Sequence, residues 1–321
     1  MFKLIYNGEK EKIAGKNMFG EAIKNMVEQD PQVVYLDADL MNSIGTAGYD
    51  LKYPDQVFNC GIQEANMMGM AGGLSAVGKK PFVHTFGAFA ARRAFDQVFI
   101  SIAYAKNSVR IIGSDPGVQA AYNGGTHMPF EDICLYRAIP HATVIEFTDS
   151  AMGASLLPEL KDRPGLTYCR MGRKNAIAIY SADSKFTPGK ANVLREGSDV
   201  TIIACGMMVA EALKAAEKLT ADGIQATVID MFTIKPLDEE AVAKYAKQTG
   251  AIVTAENGNI VGGLGAAVAA FLSGTNPTPV IRVGVKDEFG QVGTPDYLAG
   301  IYGLTDGDII TGVRKAISMK K

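Results

Sequence analysis

Residues 81–113 read PFVHTFGAFAARRAFDQVFISIAYAKNSVRIIG. An apolar run of strand length at 81–83 gives way to Phe95, Val98, Phe99 and Ile102 at helical spacing, and a second strand-length run follows at 109–112. Strand, helix and strand in this order predict a crossover between parallel strands. The same alternation extends outward. Runs at 33–36, 143–147 and 166–169 read as strands, and Phe19, Ile23, Met26 and Val27 repeat as one helical face. Beyond residue 198 the pattern resumes, with strands at 200–204, 225–229, 251–254 and 279–283 and helices near 209–219, 239–246 and 263–271. Between 172 and 198 it lapses into Lys, Asn and Ser, a Thr187-Pro188-Gly189 turn and a charged Arg195-Glu196-Gly197. The expected fold is therefore α/β, two doubly wound domains covering 1–180 and 190–321 with parallel sheets.

The length of 321 residues and a hydrophobic content of 47% suffice for two cores of that kind. A formal net charge of -2 gives no basic excess for tracking phosphates, so nucleic acid is not an expected partner. Cys60, Cys134, Cys169 and Cys205 are scattered without a C-x-x-C pair, which fits a reducing cytoplasm. The first apolar run, Phe2 with Leu4, Ile5 and Tyr6, is too short for a signal peptide, and no window approaches the roughly 20 apolar residues of a membrane span. Neither membrane nor export is expected.

Three segments hold residues with chemistry to offer. Glu64 opens a helix rich in Gly, Ala and Met, from Gly69 to Ala76. A first-turn carboxylate is explained by the helix dipole alone. So many small residues, however, predict close packing on several sides and a buried carboxyl, for which burial favours the protonated form. Phe86 and Phe89, three apart at the end of the 81–83 strand, suit a helix-packing seam better than a ligand site on spacing alone, but the carboxyl end of a parallel strand is where rings could stack on a planar heterocycle. A long aperiodic stretch at 113–129 carries His127, one of three histidines, behind Gly124 and Gly125. A fourth segment, with Gly262, Gly263 and Gly265, resembles a phosphate-cradling turn. It does not complete G-x-G-x-x-G, since Val268 stands at the last glycine. No metal-ligand spacing is present, so no metal is expected on this chain.

In this order the segments resemble the pyrimidine-binding and C-terminal domains of the transketolase family, over nearly the whole chain. The matching motifs are G-I-x-E at 61–64, T-F-x-x-F at 85–89, A-F-D-Q at 94–97 and G-x-T-H-x-P-x-E-D at 124–132. The resemblance implies a thiamine diphosphate pyrimidine-binding domain at 1–180 and a smaller C-terminal α/β domain at 190–321. Glu64 corresponds to the glutamate that hydrogen-bonds N1′ of the aminopyrimidine. Phe86 and Phe89 match the aromatics that pack on that ring, with Asp39, Ile62 and Arg92 as further cofactor neighbours. His127 is similar to the catalytic histidine that contacts donor-sugar hydroxyls, and Lys16, Ser43 and Arg170 stand where phosphate-binding residues are expected. Lys16 replaces an arginine and loses its bidentate geometry. Asn123 replaces an aspartate expected to read an acceptor hydroxyl, Asp115 replaces a histidine expected near the phosphate, and Gly125 replaces a proline.

The family's G-D-G motif for magnesium and diphosphate has no counterpart in position; Thr305-Asp306-Gly307-Asp308 lies too near the end. The resemblance thus implies a split transketolase of the pentose phosphate type. This chain would share thiamine diphosphate with an N-terminal subunit that binds magnesium, pair with itself, and work on sugar phosphates, most simply as a two-plus-two heterotetramer. A deoxyxylulose-phosphate synthase, a 2-oxo acid dehydrogenase beta subunit and a non-catalytic regulatory subunit are the competing expectations.

Overall fold

The protein, seen in a computed structural model that describes residues 1–320, places the anticipated strands side by side. In chain order the strands are β1 (Val33–Asp37), β2 (Val57–Asn59), β3 (Lys80–Phe86), β4 (Arg110–Ser114), β5 (Thr143–Glu146) and β6 (Thr167–Met171). The second half contributes β7 (Asn192–Arg195), β8 (Val200–Ala204), β9 (Ala226–Asp230), β10 (Thr233–Lys235), β11 (Ile252–Asn259) and β12 (Val280–Val285). One seven-stranded sheet has the order β10-β5-β6-β4-β3-β1-β2 and one five-stranded sheet the order β12-β11-β8-β9-β7. Both are mixed but mostly parallel, with antiparallel pairing only at β10 and β7. β1, β4 and β6 are buried along their whole length, as expected of parallel strands covered by helices on both faces.

Helices Gly15–Gln29 and Ser150–Leu160 pack together on one side of the larger sheet, and Glu64–Ala76 lies against β3 on the other. The helix expected around residues 95–102 is interrupted. A π-helical turn at Phe89–Arg93 and another at Val98–Tyr104 flank a short α-helical piece, Phe95–Gln97. The dense packing expected of helix Glu64–Ala76 holds on one face only. A Cβ on Gly72 would stand 2.6 Å from the Ser101 carbonyl oxygen, whereas Gly69 and Gly73 have open space around them.

Two connections depart from the expected boundary. Residues 192–195 are not linker but β7, the edge of the second sheet. The chain also returns to the first sheet, where Thr233 pairs with Ile145 as part of β10. The junction is polar and tightly knit: Asn257 accepts from the Val118 amide at 3.0 Å and donates to the Pro116 carbonyl at 2.9 Å. No helix among the described residues is long and apolar enough to cross a membrane.

Candidate active site

Parallel strands all point their carboxyl ends the same way, and the loops beyond those ends converge. Asp39 follows β1, Glu64 follows β2, Phe89 follows β3, Asp115 and His127 follow β4, and Arg173 follows β6. Glu64 is 2% exposed at the first position of its helix. Its oxygens each accept from Arg93 Nη1 at 2.9 Å, with Thr85 Oγ1 at 3.5 Å. The buried carboxyl expected from sequence is thus buried, but it faces a cation rather than an apolar wall. Arg93 is 46% exposed and lies 4.1 Å from the Phe89 ring centre, one π-turn along the chain. π-turns widen a helix locally and often mark functional positions.

Phe86, Phe89 and His127 form an aromatic corner. The His127 ring is 4.9 Å from Phe89 and 5.8 Å from Phe86, both edge-on, and the two phenyl rings are 6.3 Å apart. Thr126 Oγ1 stands 2.9 Å from His127 Nδ1 and fixes the imidazole's orientation. Ile62, 68% exposed, stands free on the loop before Glu64. Asp39, held in a left-handed conformation at φ 63, accepts from Asn59 Nδ2 at 3.2 Å.

Across Phe86 lies a polar cluster. The Arg173 guanidinium sits 4.9 Å over the Phe86 ring, donates to the Ser43 carbonyl at 3.2 Å, and pairs with Asp115 at 2.5 Å. The Lys16 amide donates to the Arg173 carbonyl at 3.0 Å, and the Lys16 side chain is exposed on the same rim. Asn123 is exposed on the loop before His127.

Two expected site residues lie elsewhere. Arg170 is fully enclosed inside β6; its guanidinium binds Asp132 at 2.8 Å, Glu146 at 3.0 Å, and the carbonyls of Asn257 and Pro129 at 3.0 and 3.2 Å. With its donors committed to protein groups, it has nothing to offer a substrate phosphate. Arg92 points away from Glu64, donating to the Thr126 carbonyl at 2.7 Å and pairing with Glu131 at 3.0 Å. In both cases a neighbouring arginine lies against the cluster instead, Arg173 over the Phe86 ring and Arg93 on Glu64. The signal for Arg173 was its position past the end of β6, where ligands bind, rather than within the strand. For Arg93 it was the four-residue spacing from Phe89.

Two further arrangements have chemistry in appearance only. His84 bridges Asp37 at 2.8 Å and Ser114 at 3.0 Å, a serine-histidine-aspartate chain, but all three residues are completely buried and no substrate reaches them. Burial pushes the Cys60 thiol up to about 11, with Asp37 adding to the effect, so it is not a ready nucleophile. The glycine-rich turn is also filled from within. Glu256 accepts from the Leu264 and Gly265 amides at 2.7 and 2.8 Å, occupying the anion position at that helix start.

Comparison with known proteins agrees with this geometry. The family model of the transketolase pyrimidine binding domain matches residues 11–176, and that of the transketolase C-terminal domain matches 189–309. The 6-deoxy-6-sulfo-D-fructose transketolase subunit SqwH of Clostridium sp. (strain MSTE9) is 46% identical over 95% of each chain. An apulose-4-phosphate transketolase subunit from Phocaeicola vulgatus is 37% identical over 91% of this chain and 94% of its own. A solved structure described as a split gene transketolase, inactive beta4 tetramer, superimposes with a TM-score of 0.89 at 41% identity, covering 97% of this chain and all of that one. The chain belongs to the transketolase family, and its two halves are that family's pyrimidine-binding and C-terminal domains.

Proposed function

We propose that the chain is the ring-orienting subunit of a thiamine diphosphate-dependent transketolase, moving a two-carbon ketol unit between sugars that end in an anionic group. The observation that carries this reading is the buried Glu64 carboxyl, linked through Arg93 to the corner formed by Phe86, Phe89 and His127 at the carboxyl edge of the sheet. The aminopyrimidine half of the cofactor fits these residues, since the Glu64 carboxyl can share a proton with a ring nitrogen and the phenyl rings have faces for a flat heterocycle. Among the described residues no group of three or more His, Cys, Asp or Glu is placed to hold a metal ion. A magnesium-diphosphate clamp on a partner chain is in keeping with the naming of similar chains as transketolase subunits. The simplest assembly is two copies of each chain.

When bound, thiamine diphosphate supplies the nucleophilic carbon and the electron sink for breaking a carbon-carbon bond next to a ketose carbonyl. The work of this chain is positioning and proton control. Glu64 holds a proton at N1′, Phe86 and Phe89 set the plane of the ring, and Asp39 and Ile62 border it. His127, steadied by Thr126, hydrogen-bonds hydroxyls at the reacting carbons and exchanges protons there. Arg173, Lys16 and Ser43 hold the anionic end of the sugar, and Asn123 reads an acceptor hydroxyl. Pentose phosphates are one such substrate set, and a sulfonated ketose, as in the name of the Clostridium relative, is another. The setting is sugar metabolism in the cytoplasm.

The test is reconstitution. Mixed with a G-D-G-bearing partner, magnesium and thiamine diphosphate, the chain is expected to give ketol transfer, and Glu64→Ala is expected to abolish it without changing the circular dichroism spectrum. Full activity in that variant would remove Glu64 from the chemistry. Pyruvate turnover without ketol transfer would move the chain to the decarboxylase and ligase branch instead.

A further inference from the structure

We infer that Asp115 sets the anion pocket for a sugar whose terminal group bears one fixed negative charge, such as a sulfonate, over one ending in a phosphate dianion. The inference rests on the transketolase reading above and names the substrate class of that site. The Asp115 carboxyl is 6% exposed and lies 2.5 Å from Arg173 Nη2. Its backbone is held at φ 56, a conformation that costs energy for a residue with a side chain and aims the carboxyl at the guanidinium. Arg173 keeps donors in reserve: Nη1 and Nη2 each carry two hydrogens, and each makes one bond to the protein, to the Ser43 carbonyl and to Asp115. A tetrahedral oxyanion can accept from the remaining hydrogens while Nη2 stays with Asp115.

The Asp115 carboxylate offsets the Arg173 guanidinium paired with it, which leaves the exposed Lys16 on that rim as the balancing cation, and the cavity lined by Asp115 and Arg173 also carries Glu11, Asp149 and Glu211. A phosphate monoester carries between about 1.5 and 2 negative charges at pH 7, with its second ionisation near pH 6. A sulfonate carries one throughout this range and offers the same three oxygens. The first charge is matched by the pocket. The second meets the Asp115 carboxylate across a single guanidinium, and that carboxylate is itself largely shielded from solvent. Lys16 does not offset this with the bidentate grip an arginine would give. A singly charged terminus therefore binds without the repulsion that a dianion meets.

The experiment uses the complex reconstituted with its partner, magnesium and thiamine diphosphate, and measures kcat/KM for three matched ketoses bearing a 6-sulfonate, a 6-phosphate or a free hydroxyl. The sulfonate is expected to exceed the phosphate by about tenfold or more. Asp115→Asn should shift that ratio toward phosphate by about tenfold, through KM rather than kcat, and Asp115→Glu should preserve it. A readout that needs no variant accompanies this: from pH 8 to pH 5.5 the wild-type ratio should move toward phosphate as the monoanion accumulates. A wild-type preference for phosphate or for the uncharged sugar, a ratio unmoved in Asp115→Asn, or a ratio flat with pH would each overturn the inference while leaving the transketolase reading in place. Turnover of none of the three would overturn that reading, and this inference with it.

Discussion

Replacing Arg170 by methionine keeps the length of the side chain and removes its charge from the middle of the larger sheet. In the wild type, burial alone would lower the pKa of this guanidinium, and Asp132 and Glu146 more than reverse that, so the group stays firmly charged. Without it two enclosed carboxylates lose their cation, and the Asn257 and Pro129 carbonyls lose a donor. Removing one partner of a buried pair costs about 3–5 kcal/mol, because the charge left behind is uncompensated. At roughly 2–4 °C per kcal/mol for a domain of this size, about 4 kcal/mol corresponds to a fall in Tm of about 8–16 °C. Differential scanning calorimetry at neutral pH measures this, with urea unfolding as a second probe. Arg173→Met is the comparison: it strips one cation from one buried carboxylate, Asp115, where Arg170→Met strips it from two, so it should lower Tm by less than Arg170→Met does and in addition raise KM for a sugar with an anionic end. An Arg170→Met protein with unchanged Tm and weakened substrate binding would refute the buried-network account and return Arg170 to the substrate pocket.

Arg93→Ala should destabilise the cofactor-free chain by about 1 kcal/mol, the discount reflecting an exposed cation. Chemical denaturation of the double variant with Glu64→Gln should show that the two losses are not additive; additive losses would mean that the pair does not couple. A second expectation concerns pH. Burial raises Asp230 and Glu256 to about 7, so the folded chain holds protons that the unfolded chain has released above about pH 4. Stability from these groups is therefore present at low pH and lost as pH rises through 7, by on the order of 2–4 kcal/mol per group. Urea midpoints should fall between pH 5 and pH 8, and Asp230→Asn should flatten the slope; a midpoint that rises over this interval counts against it.

The fold was legible because its signal is local and redundant. Buried parallel strands are near-continuous apolar runs, and nine such runs stood out, among them 33–36, 109–112 and 200–204. What escaped were elements whose stability comes from tertiary partners. β7 reads Asn-Val-Leu-Arg in a stretch full of turn residues, and it exists because β9 offers a free edge. β10 has three residues and belongs, against chain order, to the sheet of the other half. The π-turns at Phe89–Arg93 and Val98–Tyr104 are likewise invisible to a 3.6-residue period, yet the first carries Arg93 to Glu64.

The site was legible by residue type and less so by direction. Glu64, Phe86, Phe89 and His127 meet, because each lies just past a strand end and the sheet gathers those ends. Arginines are harder to assign from a string: a reach of several ångströms lets neighbours such as Arg92 and Arg93 serve opposite sides of one turn. Arg170 shows the stronger principle. Inside a parallel strand an arginine points into a helix-covered layer, and it survives there only with carboxylates to meet it, which Asp132 and Glu146 supply. Three residues on, beyond the strand, the same side chain faces the cleft and keeps an Nε unpaired. Glu256 makes the complementary point about anions. A glycine-rich helix start offers its free amides to any acceptor, and here the Glu256 carboxyl from β11 has taken the position.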